Sequence, residues 1–334
     1  MAAEPAPLPQ PATPVLDVAG LHVSFTTEHG EWPVVSDVSV SVAAGETVAL
    51  VGESGCGKSV TALAVLGLLD RTGRIVKGEV RLNGQSLTGL SEVELQALRG
   101  RRIGMIFQEP MTSLNPVFTV GDQICEVLRR HLRLDAAAAR AEALRLLQKV
   151  GIPAPEQRID QYPHELSGGM KQRVMIAIAI ACKPDLLIAD EPTTALDVTI
   201  QAQILRLLQE LQREMGMAIL LITHNLGVVA HFAQRVVVMY AGQIDEQAET
   251  RALFRKPLHP YTRALLNSLP RPGGQRLESI RGTVPAPNAY PTGCRFCTRC
   301  PEVLAHCCTE VPVRVAPESG HDVACWLYPP DRYR

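Results

Sequence analysis

Residues 52 to 59 combine three glycines with a lysine and a serine in the spacing of a phosphate-binding loop, Gly52-Glu53-Ser54-Gly55-Cys56-Gly57-Lys58-Ser59. Glycine lets consecutive backbone N–H groups turn inward and wrap a polyphosphate. In such a loop the lysine reaches the β- and γ-phosphates, and the serine hydroxyl binds Mg²⁺. We therefore expect nucleotide contacts along this segment and at the start of the next helix, from Gly52, Ser54, Gly55, Cys56, Gly57, Lys58, Ser59 and Val60.

The residues on both sides of the loop have the patterns that such a loop requires. Glu46–Val51 is a short apolar run that predicts a buried strand, and Val60–Leu69 predicts an apolar helix. The N-terminus of that helix would add its dipole and its unpaired amides to the anion site. A chance glycine-rich turn is the structural alternative, and the flanking strand and helix argue against it.

Two adjacent carboxylates, Asp190 and Glu191, end the apolar run Leu186–Ala189. A strand of an open α/β sheet delivers its C-terminal residues to the ligand crevice. There, Asp190 would bind Mg²⁺ directly or through water. Glu191, one step further, would polarise the water that attacks the γ-phosphate. Taken alone, an apolar strand ending in two carboxylates is a common structural feature, but its position downstream of a phosphate-binding loop favours the catalytic interpretation.

A second glycine-rich segment, Ser167-Gly168-Gly169-Met170, precedes an apolar run that predicts a helix over Met170–Ala181. A serine and two glycines at a helix start form a second end that can bind an anion. In isolation, an ordinary serine N-cap explains the same residues equally well.

Composition limits the class of protein. The chain has 334 residues and a net charge of −1, which indicates about two domains and no overall nucleic-acid footprint. The longest apolar run, Val174–Cys182, is too short to span a bilayer. Met1–Pro14 is rich in alanine and proline, and we expect it to be a disordered leader without a secretion signal. A cytoplasmic location follows as an expectation.

Apolar strand patterns alternate with helical ones over residues 15–250, which predicts an α/β domain with a mostly parallel sheet and antiparallel edge strands. Within it, residues 110 to 165 form a predicted helical insert, with Asp135 as an N-cap. Prolines increase after residue 250, so residues 251–334 are predicted to be a small, irregular C-terminal region rich in cysteine.

In their order along the chain, these segments resemble the ATP-binding cassette of ABC transporters. The phosphate-binding loop is followed by Gln108 after a strand, the helical insert, LSGGM at Leu166–Met170, LLIADEP at Leu186–Pro192, an aspartate at Asp197, and His224 after a strand. The usual signature reads LSGGQ, so Met170 departs from the pattern. The resemblance implies an ATPase that needs Mg²⁺, with the fold of the cassette domain.

The resemblance also implies roles for individual residues. Gln108 would contact Mg²⁺ and the attacking water, and His224 would contact the γ-phosphate. Asp197 would cross the interface of a cassette dimer, in which Ser167, Gly168 and Gly169 bind the phosphates held by the other chain. Phe25 would stack on adenine, with Trp32 as the second candidate and plain strand packing as the structural alternative.

The C-terminal region is similar to the tail of dipeptide and oligopeptide importer ATPases, on the segments Leu258–Leu266, Gly282–Pro285, Gly293–Phe296 and Arg299–Pro301. Nickel and glutathione importers belong to the same group. The similarity implies a peripheral subunit on the cytoplasmic face of the membrane. Its partners would be two permeases, a second and different cassette chain, and an extracytoplasmic substrate-binding protein. A soluble cassette ATPase acting on ribosomes or DNA, and a non-enzymatic regulatory module, are the rival functions.

Six of the nine cysteines lie between Cys294 and Cys325, and Cys294, Cys297 and Cys300 have the spacing C-x2-C-x2-C. The spacing leaves an iron–sulfur cluster, a zinc site and disulfides open. Disulfides are disfavoured in a cytosolic chain. The importer tails imply a 4Fe–4S cluster held by Cys294, Cys300, Cys307 and Cys325, with Cys297 and Cys308 as extra thiols.

Overall fold

The structure is a computed structural model that describes residues 13–194, 196–269 and 280–332, with the side chains of residues 110 and 111 left aside. Nearly all of the predicted leader lies outside the described residues. Within the described segments, no helix combines the length and the apolarity that crossing a membrane requires.

The strands of the described residues are, in chain order, β1 (Leu16–Thr27), β2 (Gly30–Val42), β3 (Thr47–Val51), β4 (Gly73–Leu82), β5 (Gln85–Ser86), β6 (Ile103–Ile106), β7 (Leu186–Asp190), β8 (Ala218–Thr223), β9 (Arg235–Tyr240), β10 (Gln243–Glu249), β11 (Arg314–Glu318) and β12 (His321–Ala324). The helices are α1 (Lys58–Leu66), α2 (Glu92–Leu98), α3 (Pro110–Ser113), α4 (Val120–Leu132), α5 (Ala136–Lys149), α6 (Pro155–Arg158), α7 (Gly168–Ile180), α8 (Val198–Met215), α9 (Leu226–Phe232), α10 (Thr250–Arg255) and α11 (Pro260–Asn267). Short 3₁₀ helices cover Pro163–Glu165, Pro287–Ala289 and Pro330–Arg332.

Two sheets carry the fold. The larger has the order β11-β12-β10-β9-β3-β8-β7-β6, and β3 pairs in parallel with both β8 and β9. β6, β7 and β8 continue the parallel part, whereas β10 to β12 are antiparallel. The smaller sheet, β2-β1-β4-β5, is antiparallel. The predicted fold class, a mostly parallel sheet with antiparallel edge strands, is confirmed.

The apolar strands owe their continuous hydrophobic sequences to burial on both faces. All residues of β3, β7 and β8 are buried, as expected for parallel strands covered by helices. The predicted insert contains α4 and α5, whose inner residues join the same core as α7. Asp135 caps α5, since its carboxylate accepts from the amide of Ala138. The helical insert is therefore present.

The C-terminal region has more regular structure than its sequence predicts. β11 and β12 form an antiparallel hairpin, and β12 pairs with β10, so the hairpin extends the larger sheet. The strands are short and flanked by prolines and a glycine turn, which hides their alternation in the sequence. The predicted domain boundary near residue 250 stays a prediction, and this pairing crosses it.

Candidate active site

The phosphate-binding loop connects β3 to α1, as the motif predicts. Gly55 and Gly57 have φ values of 80° and 99°, in the left-handed region that favours glycine. Gly52 lies so close to β9 that a Cβ there would be 2.1 Å from the carbonyl oxygen of Met239. Ser54 and Gly55 are exposed at the outer side of the loop, whereas Cys56, Gly57 and Lys58 are buried.

Lys58 is folded back over the loop. Its Nζ donates to the carbonyl oxygens of Gly52 at 2.8 Å and Glu53 at 2.9 Å, and it lies 3.7 Å from Sγ of Cys56. A buried ammonium bound only to carbonyls and a thiol has no anionic partner in these contacts. Such a group is suited to exchange them for phosphate oxygens.

Ser59 and Asp190 meet on the inner side of the loop. The Ser59 hydroxyl hydrogen-bonds to Asp190, and burial raises the pKa of this carboxyl. Oδ1 of Asp190 is buried without a hydrogen-bond partner among the described residues. A hydroxyl beside a carboxylate oxygen without a partner suits Mg²⁺, which commonly takes one or two protein ligands and completes its shell with water and phosphate.

Gln108, Glu191 and His224 meet at one point. Oε1 of Glu191 lies 2.9 Å from Nδ1 of His224, and its Oε2 accepts from Nε2 of Gln108 at 3.3 Å. The carboxylate can only accept, so the His224 contact requires a proton on Nδ1. The structure therefore brings together the three residues that the sequence analysis placed in catalysis.

Thr194 is a further member of this group that the sequence analysis did not single out. Its hydroxyl donates to Oε2 of Glu191 at 2.8 Å. Burial acts to raise the pKa of Glu191, but the hydrogen bonds from His224 and Thr194 outweigh it, so the pKa lies below its ordinary value. Glu191 is therefore ionised at neutral pH. Its backbone is left-handed, with a φ of 46°.

The second glycine-rich segment begins α7. Ser167 is the N-cap, and its side chain accepts from the amide of Met170. Ser167 and Gly168 are exposed, and Gly169 faces Ile200 of α8. Met170 packs partly against the hydrophobic core, a position that suits an apolar side chain. Asp197 caps α8 and is exposed as well.

Phe25 and Trp32 lie opposite each other on β1 and β2. Phe25 packs partly against the core beside Gly73. The strand that approaches the loop is β2, where Val34 and Val35 lie next to Gly57. This places Trp32, two residues before Val34, on the strand nearer to the loop, and the choice between the two aromatic residues stays a prediction.

The C-terminal cysteines fall into two groups. Cys297 and Cys308, expected as extra thiols, are instead joined in a disulfide, so that expectation is wrong. The physical reason is local: the amides of Gly293 and Cys294 pair with the carbonyls of Cys308 and Cys307, which brings the two loops together. The other four cysteines, Cys294, Cys300, Cys307 and Cys325, are free thiols.

The four free thiols lie near one another. Burial raises the pKa of Cys294 and of Cys325 to about 12, and the neighbouring thiols contribute to each shift. The donor chemistry suits a thiophilic metal. However, no three His, Cys, Asp or Glu side chains in the described part of the chain are arranged closely enough to hold a metal ion. The predicted ligand set is therefore not supported by the arrangement.

Two protein-family models match different stretches of this chain. The family model for ABC transporters matches residues 35–194, and the model for the C-terminal region of oligopeptide/dipeptide transporters matches residues 246–307. The oligopeptide transport ATP-binding protein AppD of Bacillus subtilis is 50% identical over 317 residues, covering 94% of this chain and 97% of the relative. The chain belongs to the oligopeptide/dipeptide family of ABC ATPases.

A second relative and a solved structure support the same family membership. The dipeptide transport ATP-binding protein DppD of Escherichia coli K12 is 50% identical over 319 residues, covering 95% of this chain and 97% of the relative. Among solved structures, the ATP-binding cassette MJ0796, in a dimeric post-hydrolysis state bound to ADP and Pi, aligns with a TM-score of 0.64. It is 27% identical and covers 71% of this chain and 99% of its own. The family hydrolyses ATP to power transport.

Proposed function

We propose that this chain is the ATPase subunit of a bacterial importer that takes up peptides. Relatives covering over nine-tenths of the chain are named for oligopeptide and dipeptide transport. The C-terminal match to the oligopeptide/dipeptide family supports the same substrate class. Two permeases, a substrate-binding protein outside the cell and a second, different cassette chain would complete the transporter. The chain would be a peripheral subunit on the cytoplasmic face of the membrane.

The observation that carries the proposed ATPase chemistry is the meeting of Gln108, Glu191 and His224. Glu191 is held ionised by two hydrogen bonds, so it can accept a proton from a water that attacks the γ-phosphate. His224 is 57% exposed, which leaves the rest of its ring accessible to phosphate. Gln108, also exposed, orients the water together with Glu191.

Ser59 and Asp190 would hold Mg²⁺, and Gln108 would complete the protein ligands. The ion would neutralise charge on the β- and γ-phosphates. Lys58 would leave the carbonyls of Gly52 and Glu53 and bind the same phosphates, because a phosphate oxygen is the stronger partner for an ammonium.

The second phosphate contact would come from another cassette. Ser167 and Gly168 are exposed and begin a helix of 13 residues, so their amides are accessible to a ligand outside the chain. The MJ0796 cassette, which aligns over 71% of this chain, is a dimer. A head-to-tail pair would close each ATP between one phosphate-binding loop and the Ser-Gly-Gly of the other chain, with Asp197 at the interface.

The substitution Glu191→Gln tests the chemistry, because it keeps the shape and removes the base. We expect hydrolysis at the site formed by this chain to fall about 10²–10⁴-fold in the assembled transporter, with ATP binding retained. Glu214→Gln, which breaks an exposed ion pair with Lys149, serves as the control with unchanged turnover. Unchanged hydrolysis in Glu191→Gln would remove this residue from the role of general base.

A groove on the insert is the proposed docking site for a permease. Its volume is about 1080 Å³, and its lining includes Ser113, Asn115, Phe118, Gln123 and Arg130. Phe118 is a large apolar side chain exposed in this lining, and Phe107 and Val117 are exposed in the same segment of the chain. A mixed polar and apolar groove, lined from Ser113 onward in the segment that follows Gln108 in sequence, fits an amphipathic helix from a permease loop, and that segment would connect the helix to the nucleotide site.

A cysteine cross-link tests this docking. Val117 is 71% exposed, so Val117→Cys would present a thiol at the edge of the groove. We expect a cross-link to a cysteine in a cytoplasmic permease loop. Val313→Cys, on an exposed residue of the C-terminal region, is the matched control without a cross-link. Cross-links from residue 313 alone would place the docking face elsewhere.

For the C-terminal region, we propose a 4Fe–4S cluster held by Cys294, Cys300, Cys307 and Cys325. The disulfide takes the two cysteines that the proposed set leaves out, so that the four remaining thiols match it. The buried cluster around Cys325 is small, with Leu258, Val315 and Val323 as its apolar members, so a metal would supply folding energy that this small core lacks. Closing the thiols around a cluster requires a local rearrangement.

Anaerobic purification followed by iron, sulfide and zinc analysis tests this cluster. We expect iron and labile sulfide, and a loss of both when Cys294, Cys300, Cys307 or Cys325 is changed to serine. The changes Cys297→Ser and Cys308→Ser are the controls and should leave the content unaltered. Stoichiometric zinc without labile sulfide would show that the site binds zinc and not an iron–sulfur cluster. If neither iron nor zinc is found, the four cysteines are structural thiols.

A further inference from the structure

Two side chains of the C-terminal region, Arg299 and Tyr261, hydrogen-bond to Glu53 of the phosphate-binding loop. Nη1 of Arg299 lies 2.6 Å from Oε2 of Glu53, and Nη2 lies 3.1 Å from Oε1. The backbone N–H of Glu53 donates to the hydroxyl oxygen of Tyr261 at 2.9 Å. Both the side chain and the main chain of one loop residue are thus held by distant parts of the sequence. These three residues are called the Glu53 clasp below.

Arg299 is itself held in one orientation. Its guanidinium donates to the hydroxyl of Tyr240 and to the carbonyls of Arg281 and Gly282, and its side chain is only 4% exposed. Burial acts against its charge, but the hydrogen bonds to Glu53 and Tyr240 and the charges of these two groups together outweigh burial and raise the pKa of Arg299. A bidentate arginine–carboxylate pair with so many fixed partners sets a direction as well as a distance.

Tyr261 is equally constrained. It is fully buried on α11, with its ring centroid 4.7 Å from that of Tyr240 and 5.3 Å from that of Phe296. Burial raises the pKa of its hydroxyl, which therefore stays protonated and neutral. Since the hydroxyl oxygen accepts from the Glu53 amide, the position of the rings fixes the orientation of that peptide group.

The clasp acts on the side of the loop opposite Lys58. The carbonyl of Glu53 accepts from Nζ of Lys58, while its amide and carboxylate are bound by Tyr261 and Arg299. An N–H has one proton, so the amide bound to Tyr261 is not available to phosphate. The phosphate cradle must therefore be formed by the amides that follow, and the clasp fixes the peptide from which they start.

We propose that Arg299 and Tyr261 are positioning residues for ATP binding, because they hold Glu53 and thereby preorganise the phosphate-binding loop. A loop that is ordered before binding loses less conformational freedom when the nucleotide arrives. Neither side chain belongs to the group formed by Gln108, Glu191 and His224. Their loss should therefore act on ATP affinity and not on the chemical step.

The experiment measures ATP binding by the full-length chain and the steady-state kinetics of the assembled transporter. For Arg299→Gln we expect the Kd and KM for ATP to rise about 5- to 20-fold, which corresponds to a loss of about 1–2 kcal/mol, while kcat changes less than about twofold. Arg299→Lys should recover part of the affinity, because it keeps the charge but loses the bidentate geometry. Tyr261→Phe should have a smaller effect in the same direction.

A double-mutant cycle separates the clasp from a general loss of structure. If Arg299 acts through Glu53, then Arg299→Gln has little further effect on ATP affinity when Glu53→Gln is already present. Glu318→Gln, which breaks the ion pair with Lys256 in the same region, is the matched control with unchanged affinity. Additive effects of the two clasp substitutions would overturn the proposal.

Two further outcomes are decisive. Wild-type ATP affinity in a folded Arg299→Gln chain would show that the clasp does not position the loop. If Arg299→Gln does not fold, Glu53→Gln alone decides, because Arg299 then stays in place and only the contact is weakened. In that case, unchanged ATP affinity in Glu53→Gln would overturn the proposal.

Discussion

The nucleotide site and the C-terminal region differ in how the chain assembles them. The phosphate-binding loop, Gln108, Glu191 and His224 follow β3, β6, β7 and β8, which are neighbours in the parallel part of the larger sheet. Because the carboxyl ends of parallel strands meet at one edge, each short motif reaches the site through the strand before it. The C-terminal region is instead held by a hairpin, a disulfide and side-chain contacts such as the Glu53 clasp.

The difference shows where local sequence determines a site and where it does not. Once the order of strands in the sheet is set, the position of a motif that directly follows a buried strand is set as well. A side chain that reaches across the fold, such as Arg299, depends on the packing of α11 and of the loops around Cys297. The following predictions test the two modes of assembly separately.

The largest expected effect on ATP affinity comes from a substitution in the nucleotide site, whose residues follow the parallel strands. Lys58→Ala removes a buried ammonium that is bound to carbonyls in the present structure and is available to phosphate. We expect ATP affinity to fall by about 3–4 kcal/mol, since truncating one partner of a buried charged contact has effects of this size. Isothermal titration with ATP in the presence of Mg²⁺ measures it. If Lys58→Ala lost less ATP affinity than Arg299→Gln, the contacts from the C-terminal region would matter more for ATP binding than the residues that follow the parallel strands.

The disulfide provides the next effect. Cys297→Ser and Cys308→Ser should each lower the free energy of unfolding of the oxidised chain by about 2–3 kcal/mol, because a closed loop restricts the unfolded chain. Denaturant titration measures this, with Cys182→Ser, a free thiol elsewhere, as the control. Under strong reductant the wild-type chain should match the two variants. A disulfide that adds nothing to stability would leave the hairpin and side-chain contacts as the support of this region.

The smallest effect concerns Asp245, a buried carboxyl on β10 beside the C-terminal region. Burial, followed by the charge of Glu246, raises its pKa well above the ordinary value, and Oδ2 has no hydrogen-bond partner among the described residues. A raised folded pKa contributes stability that is complete below the unfolded pKa, about 4, and is lost as pH rises. Asp245→Asn should therefore be more stable than wild type by about 1 kcal/mol at pH 8.

The difference in stability between Asp245→Asn and wild type should shrink towards pH 4, which thermal unfolding across this pH range would measure.

For Glu246 we expect the opposite effect on stability. Burial opposes its charge, but hydrogen bonds from His321 and from the amides of Leu258 and His259 lower its pKa. Glu246→Gln should therefore destabilise the chain at neutral pH. If Asp245→Asn were less stable than wild type at pH 8, the buried carboxyl would be supporting the fold.

The sequence predicts most of the cassette because its signals are local. The N-cap Asp135 and the apolar run of β7 each determine their own element. The contact between Thr194 and Glu191 was missed because the left-handed backbone at Glu191, which sets the course of this turn, has no sequence signal. The pairing of β12 with β10 and the Glu53 clasp were missed because they depend on residues far apart in the chain.

ATP hydrolysis at Glu191 is proposed to drive peptide uptake. The most direct test of this coupling records hydrolysis and the uptake of a labelled peptide in the same proteoliposomes, with the proposed partner subunits present. We expect Glu191→Gln to lower both rates together while ATP remains bound. Peptide uptake at the wild-type rate by Glu191→Gln, or uptake of nickel or glutathione in place of peptides by the wild type, would contradict it.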